Sequence, residues 1–217
     1  MKLTKNGKKK LLTSAHKVYL AYTALDFFKT KTFSTPDGQK SLSELCTKAI
    51  NDNKIDQTVV INGIHYRLHL TQENNNYKIK FTRAVGAKAD SVVKKISDYT
   101  DQEVLNLLAN QEFSIQAPVV DEKLVVSNRI SDDYVIGGAG KVDLYRTHLV
   151  TLHNIIEKIE SEEDISNLLV ALATGSGKTF VQALWMMVLS LSDNNGVFAI
   201  PDKLVNQFTK DLKRLLP

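Results

Sequence analysis

At 217 residues, with 43% hydrophobic and 24% charged side chains, the chain has the composition of an ordinary folded protein and room for one large domain or two small ones. Its single cysteine, Cys46, excludes an internal disulfide, and no apolar run reaches the ~20 residues that a bilayer-spanning helix needs. The net charge of +4 is uneven, because residues 1–56 hold 11 Lys or Arg against 5 Asp or Glu, while the remainder is close to neutral.

Lys2, Lys5, Lys8, Lys9 and Lys10 lead into no apolar stretch with a small-residue cleavage site, so a cytoplasmic protein without a membrane partner is expected. These lysines either contact a phosphate backbone or form a solvated tail. The spacing of Leu11, Ala15, Val18, Tyr22 and Leu25 predicts a helix over 9–31. Pro36-Asp37-Gly38 is turn chemistry. Ser41 with Glu44 forms a capping box for a second helix through Leu42, Leu45, Ala49 and Ile50.

The period then changes to two. Val59, Val60 and Ile61 meet Asn62-Gly63, a hairpin signal, and Ile64, Tyr66, Leu68 and Leu70 alternate after it. Tyr77, Ile79 and Phe81 give a third strand of an antiparallel meander. A helix is expected from about Ala89 to Ile96, and another after the capping box at Thr100 and Glu103. Strand-like pieces at Leu124–Val126 and Tyr134–Ile136 complete an α+β accessory domain over 1–135, of no assignable family. Gly137-Gly138-Ala139-Gly140-Lys141 lacks a Ser or Thr after the lysine, so 136–142 is expected to be a flexible joint.

The remaining residues, 143–217, read as α/β. Leu149, Leu152, Ile156 and Ile159 build a helix whose solvated exit is the acidic run Glu160–Asp164. Leu168–Ala173 is a continuous apolar run, as a buried parallel strand requires. An apolar helix over 181–191, a short strand Val197–Ile200 and an amphipathic helix with Leu204, Phe208, Leu212 and Leu215 follow. Strand–helix–strand–helix predicts the start of a doubly wound α/β fold with a parallel sheet.

Between the expected strand and helix lies Thr174-Gly175-Ser176-Gly177-Lys178-Thr179. Gly175 and Gly177 let the backbone curl so that its N–H groups point inward, and a following helix adds the positive end of its dipole. Lys178 suits the outer phosphates of a nucleotide, and the Thr179 hydroxyl suits a magnesium ion. The strict phosphate-loop pattern has glycine five residues before Gly177, where this chain has Leu172.

Ala173 to Thr179 resembles motif I of superfamily two helicases and translocases, and most of all the helicase/UvrB N-terminal family, which includes the motor subunits of type I and type III restriction enzymes. Phe198-Ala199-Ile200-Pro201 with Leu204-Val205-Asn206-Gln207 is similar to that family's motif Ia, one residue shorter between Pro201 and Leu204. Leu144 to Ile155 resembles its leading helix, with His148 at the place of the adenine-reading glutamine and Arg146 two residues before it. The resemblance covers about residues 141–217. It implies a RecA-like phosphate-loop fold with a parallel sheet, ATP and magnesium as cofactors, Lys178 and Thr179 as the residues of catalysis, Thr179 as a magnesium ligand, and His148 and Arg146 beside the nucleotide. It also implies a nucleic acid, DNA in the restriction motors, along Pro201, Lys203 and Gln207. His148 either contacts a base or is a surface histidine beside the joint. No Asp-Glu pair follows Lys178, and no second motor domain supplies an arginine finger. The expectation is therefore the opening part of a longer helicase-type ATPase, inactive by itself, with residues 1–135 free to dock other subunits. Its alternatives are a docking module on a nucleotide-binding scaffold without motor activity, and a phosphate-loop ATPase outside the helicases.

Three other groups are weighed. His65, Arg67 and His69 share one strand face, and with Lys78 and Lys80 they form either a solvated face or a phosphate-meeting surface. Asp121-Glu122-Lys123 lacks the spacing of a nuclease site, and no nuclease is expected. Trp185, Met186 and Met187 are expected to be core packing.

Overall fold

The structure, a computed structural model, describes residues 4–83, 93–120, 123–141, 144–161 and 168–215. It contains α1 (Lys5–Thr30), β1 (Thr32–Thr35), β2 (Gly38–Ser41), α2 (Leu42–Asn51), β3 (Asp56–Ile61), β4 (Ile64–Glu73) and β5 (Asn76–Arg83). A short 3-10 turn at Ile96–Asp98 leads to α3 (Asp101–Ala109), β6 (Glu112–Val120), β7 (Lys123–Arg129) and β8 (Val135–Gly137). The chain continues through α4 (Arg146–Glu160), α5 (Lys178–Leu191) and α6 (Asp202–Leu215). Two compact units divide the chain: Ala21–Val92 with Asp98–Gly140, and Met1–Leu20 with Val93–Ser97 and Lys141–Pro217. The boundary between Gly140 and Lys141 lies within the glycine-rich stretch.

The first unit is built on a sheet of order β3-β4-β5-β6-β7-β8, every neighbouring pair antiparallel. Asn62 and Gly63 have φ of 50° and 74°, the pair of positive values that a tight two-residue hairpin demands, and they set the β3–β4 register. Alternation then sorts the strands: Tyr66, Leu68, Leu70, Ile79, Phe81, Phe113 and Ile115 are buried, whereas His65, Arg67, Lys78 and Lys80 face outward. Phe28 of α1 packs on Phe113 with ring centroids 4.6 Å apart. The buried Asn128 on β7 donates through Nδ2 to the Ala21 carbonyl of α1 (2.9 Å) and to Gln111 Oε1 in the turn before β6 (3.0 Å), while its Oδ1 has no hydrogen-bond partner among the described residues. Both capping boxes form: Ser41 with Glu44 opens α2, and Thr100 with Glu103 opens α3.

In the second unit α4 buries Leu149, Leu152, Ile155, Ile156 and Ile159, and α5 buries Val181, Ala183, Leu184, Met187 and Val188. Trp185 and Met186 are half-buried, so the apolar cluster of α5 is only partly interior. Tyr19, near the middle of α1, has its ring centroid 5.3 Å from that of His153 and donates its hydroxyl to the Lys94 carbonyl at 2.7 Å. His16 meets Glu160 at 2.7 Å.

The expected parallel RecA-like sheet is not there. Every sheet pair among the described residues is antiparallel, and neither 168–173 nor 197–200 is a strand. Leu169 is 86% exposed and Val197 99% exposed, so these apolar runs are not the buried strands that their composition predicts. The physical reason is pairing. A run of apolar residues becomes a strand only where a neighbouring backbone supplies its ladder, and hydrophobicity cannot supply that partner. β6 is a strand that the sequence expectations do not include; Phe113 and Ile115 alternate into the core, and Pro118 falls in its second half. Of the helix expected from about Ala89 to Ile96, Ala89–Val92 lie outside the described residues and Val93–Lys95 are not helical. Asp121, Glu122 and most of the acidic run after Glu160 also lie outside the described residues. No helix among the described residues is long and apolar enough to cross a membrane.

Phe113→Ala should lower the stability of the sheet unit by about 3–5 kcal/mol, the usual loss for a truncated buried aromatic ring. Denaturant unfolding followed by far-ultraviolet circular dichroism measures it.

Candidate functional site

The loop before α5 is closed by its own hydrogen bonds. Ser176 donates to the Ala173 carbonyl through its N–H at 3.2 Å and through Oγ at 2.6 Å. Gly175 and Gly177 have φ of 80° and 75°, the left-handed region that favours glycine. At Gly175 an added Cβ would meet open space, so only the backbone angle calls for glycine there. At Gly177 it would stand 2.8 Å from His148 Nε2 and 2.9 Å from Phe180 Cδ2, so space demands glycine as well.

Gly177 is the N-cap of α5 and brings no side-chain cap. The N–H groups of Gly177, Lys178 and Thr179 take no partner among the described residues. A helix start leaves such donors over, and here nothing in the described chain claims them. The positive end of the helix dipole adds to their pull on an anion. Lys178 is exposed and Thr179 half-buried; Thr174 and Gly175 are exposed on the loop. The Lys178 side chain also borders an apolar recess of about 400 Å³ between Ile155, Leu172, Val181, Trp185 and Phe198.

His148, the third residue of α4, is 1% exposed, so it is not a surface histidine. Its Nδ1 accepts the Tyr145 N–H at 3.2 Å, closing the first turn of α4. Its Nε2 lies 2.7 Å from the Ser176 carbonyl oxygen. Phe180 meets the ring edge-on at a centroid distance of 5.4 Å, and Tyr145 lies at 5.6 Å. His148 is thus joined to the loop before α5 across 28 residues of sequence, which no periodicity in the sequence indicates. The signal that could have suggested part of it is a histidine three residues after the helix cap, where a side chain can reach back to the cap N–H. Arg146 is exposed on the first turn of the same helix. Pro201, Lys203 and Gln207 are exposed at the start of α6, an element that packs on α5.

The basic groups are less available than their number suggests. Arg67 donates to both carboxylate oxygens of Asp56, through Nε at 3.1 Å and Nη2 at 2.7 Å, and His69 Nδ1 lies 3.5 Å from the same carboxylate. The hydrogen bonds from Arg67 hold the Asp56 carboxyl below the usual carboxylate range. Lys78 meets Glu73 at 2.9 Å. The outward sheet face therefore carries its own counterions. Along the start of α1, Lys5 and Lys9 are exposed, Lys8 is half-buried, and Lys10 reaches Asp193 at 3.3 Å.

No group of three or more His, Cys, Asp or Glu among the described residues is arranged to hold a metal ion. Magnesium at this loop would therefore rest on the Thr179 hydroxyl together with phosphate oxygens, which suits an ion that keeps few protein ligands. No family model matches the chain, and no curated protein or solved structure matches it.

Gly175→Ala should cost about 1–2 kcal/mol, the ordinary penalty for a left-handed residue with a Cβ. Gly177→Ala should cost distinctly more, because the same penalty is joined by the approach to His148 and Phe180. Chemical denaturation of the two variants side by side measures the difference.

Proposed function

We propose that Ala173–Thr179 binds the phosphates of ATP with magnesium, and that the chain serves a nucleic-acid-dependent ATPase of helicase or translocase type. The observation that carries the nucleotide reading is the start of α5. There an uncapped helix presents unclaimed N–H groups immediately beside Lys178 and Thr179. Backbone donors at a helix start recognise phosphate by shape, and Lys178 adds a full positive charge. Thr179 offers an oxygen to magnesium, which when bound neutralises phosphate charge and polarises the outer phosphorus. The helicase part of the reading rests on the resemblance of 173–179 to motif I and of 198–207 to motif Ia.

Turnover requires more than binding. A group must orient the attacking water, and a cation must neutralise charge on the transferred phosphoryl. After Lys178 the sequence has no glutamate and no Asp-Glu pair. Residues 1–217 should therefore bind Mg-ATP and hydrolyse it no faster than buffer. Fluorescence titration with a ribose-labelled ATP analogue, alongside a phosphate-release assay, tests both parts. Lys178→Ala should weaken binding by about ten- to a hundredfold, the worth of a charged hydrogen bond, without changing the unfolding midpoint. Unchanged affinity in that variant would place the phosphates elsewhere.

The docking-module alternative draws on one observation, the paired charges of the sheet face, which leave that face poorly suited to a phosphate backbone. Nucleic acid, if bound, should use the front lysines. Replacing Lys5, Lys8, Lys9 and Lys10 with Gln should reduce the slope of log affinity against log salt concentration for single-strand binding by about 0.7 per lost phosphate contact. Lys203→Ala should change it little. Fluorescence anisotropy at several salt concentrations reads the slope, and absence of binding at low salt would favour docking of protein instead.

A further inference from the structure

We infer that His148 is a positioning residue for the phosphate loop: it aims the Gly177 amide by pinning the Ser176 carbonyl, and it does not read the base. The inference rests on the phosphate reading of 173–179. Because Nδ1 accepts the Tyr145 N–H, the proton of the neutral ring sits on Nε2, and Nε2–H donates to the Ser176 oxygen 2.7 Å away. Both ring nitrogens are then used by backbone. The ring is 1% exposed and packed by Phe180 and Tyr145, so neither an edge nor a face is left for a purine.

The leverage comes from the peptide plane. In a planar trans peptide the carbonyl of one residue and the N–H of the next point in opposite directions. Fixing the Ser176 carbonyl on the His148 side therefore fixes the Gly177 N–H on the other side, where it has no partner among the described residues. The bonds from Ser176 to Ala173 close the turn from within, but they do not tie it to another element. His148 supplies that tie, since its other nitrogen is held by the first turn of α4.

Two substitutions divide the ring's bonds. His148→Asn keeps an acceptor near the Nδ1 position, for the Tyr145 N–H, and loses the reach to Ser176. His148→Gln keeps an N–H donor near the Nε2 position. With labelled ATP and labelled GTP as probes, and magnesium present, His148→Asn should weaken both by about tenfold. His148→Gln should stay within about twofold of wild type, and the ATP-to-GTP ratio should not move in either variant. Equal affinities for the two variants, or a shifted ratio, would overturn the inference.

Amide hydrogen exchange without nucleotide provides a second readout. Exchange at 174–177 should quicken in His148→Asn and not in His148→Gln, with α4 protected in both. If His148→Asn does not fold, His148→Gln carries the decision: wild-type affinity and loop protection keep the tether, and loss of either overturns it. A wild-type chain that binds neither nucleotide defeats the phosphate reading alone, and the exchange comparison then decides the tether by itself.

Discussion

Backbone N–H and C=O groups lose water on folding and must find replacements, and the described structure is ordered by how each segment meets that demand. From β3 to β8 the replacement is an antiparallel ladder. At α2 and α3 it is a reciprocal capping box, with a hydroxyl and a carboxylate exchanging bonds with the first turn. At α4 a buried imidazole takes the cap N–H in place of a carboxylate. The start of α5 is different. Its cap is a glycine without a side chain, and its first donors stay unclaimed among the described residues. Side chains cap α2, α3 and α4, none caps the helix start beside Lys178, and an anion is a partner whose chemistry would complete it.

Charge follows a similar logic. Lysine and arginine on the sheet face read in sequence as a positive surface, but strand pairing sets Arg67 and His69 near Asp56 on β3, and a tight turn sets Lys78 near Glu73. Cross-strand neighbours are invisible to a linear count of charge. Exposed pairs like these add little stability, yet they reduce the field available to a phosphate backbone. The lysines at the start of α1 have fewer such partners in reach, although Lys10 is paired with Asp193.

Where sequence and structure agree, the information is local. The Asn62-Gly63 hairpin, the Ser41 and Thr100 caps, and the periodic helices through Leu11–Leu25 and Leu149–Ile159 each depend on residues a few positions apart. Where they part, a distant partner decides. Leu168–Ala173 and Val197–Ile200 have the composition of buried strands but no ladder, so the expected parallel sheet does not form from them. The site divides along the same line. Gly175, Gly177, Lys178 and Thr179 were legible as a motif because a loop and a helix start are contiguous. The place of His148 was not, because it depends on a fold that brings α4 against the loop.

That division separates two kinds of residue within one short motif. Gly177 is required by the protein itself, since its backbone angle and the nearness of His148 both exclude a side chain. Ser176 is likewise occupied, its hydroxyl and N–H closing the turn and its carbonyl held by His148. Lys178 and Thr179 have no hydrogen-bond or ion-pair partner for their side chains among the described residues. A long cation beside an uncapped helix start does nothing for the fold that a neutral side chain would not do as well, and its charge repels the positive end of the helix dipole. An unpartnered cation at that place is what the proposed phosphate site would use. In that reading the glycines and Ser176 shape the loop, His148 orients it, and the charge of Lys178 is matched only when phosphate arrives.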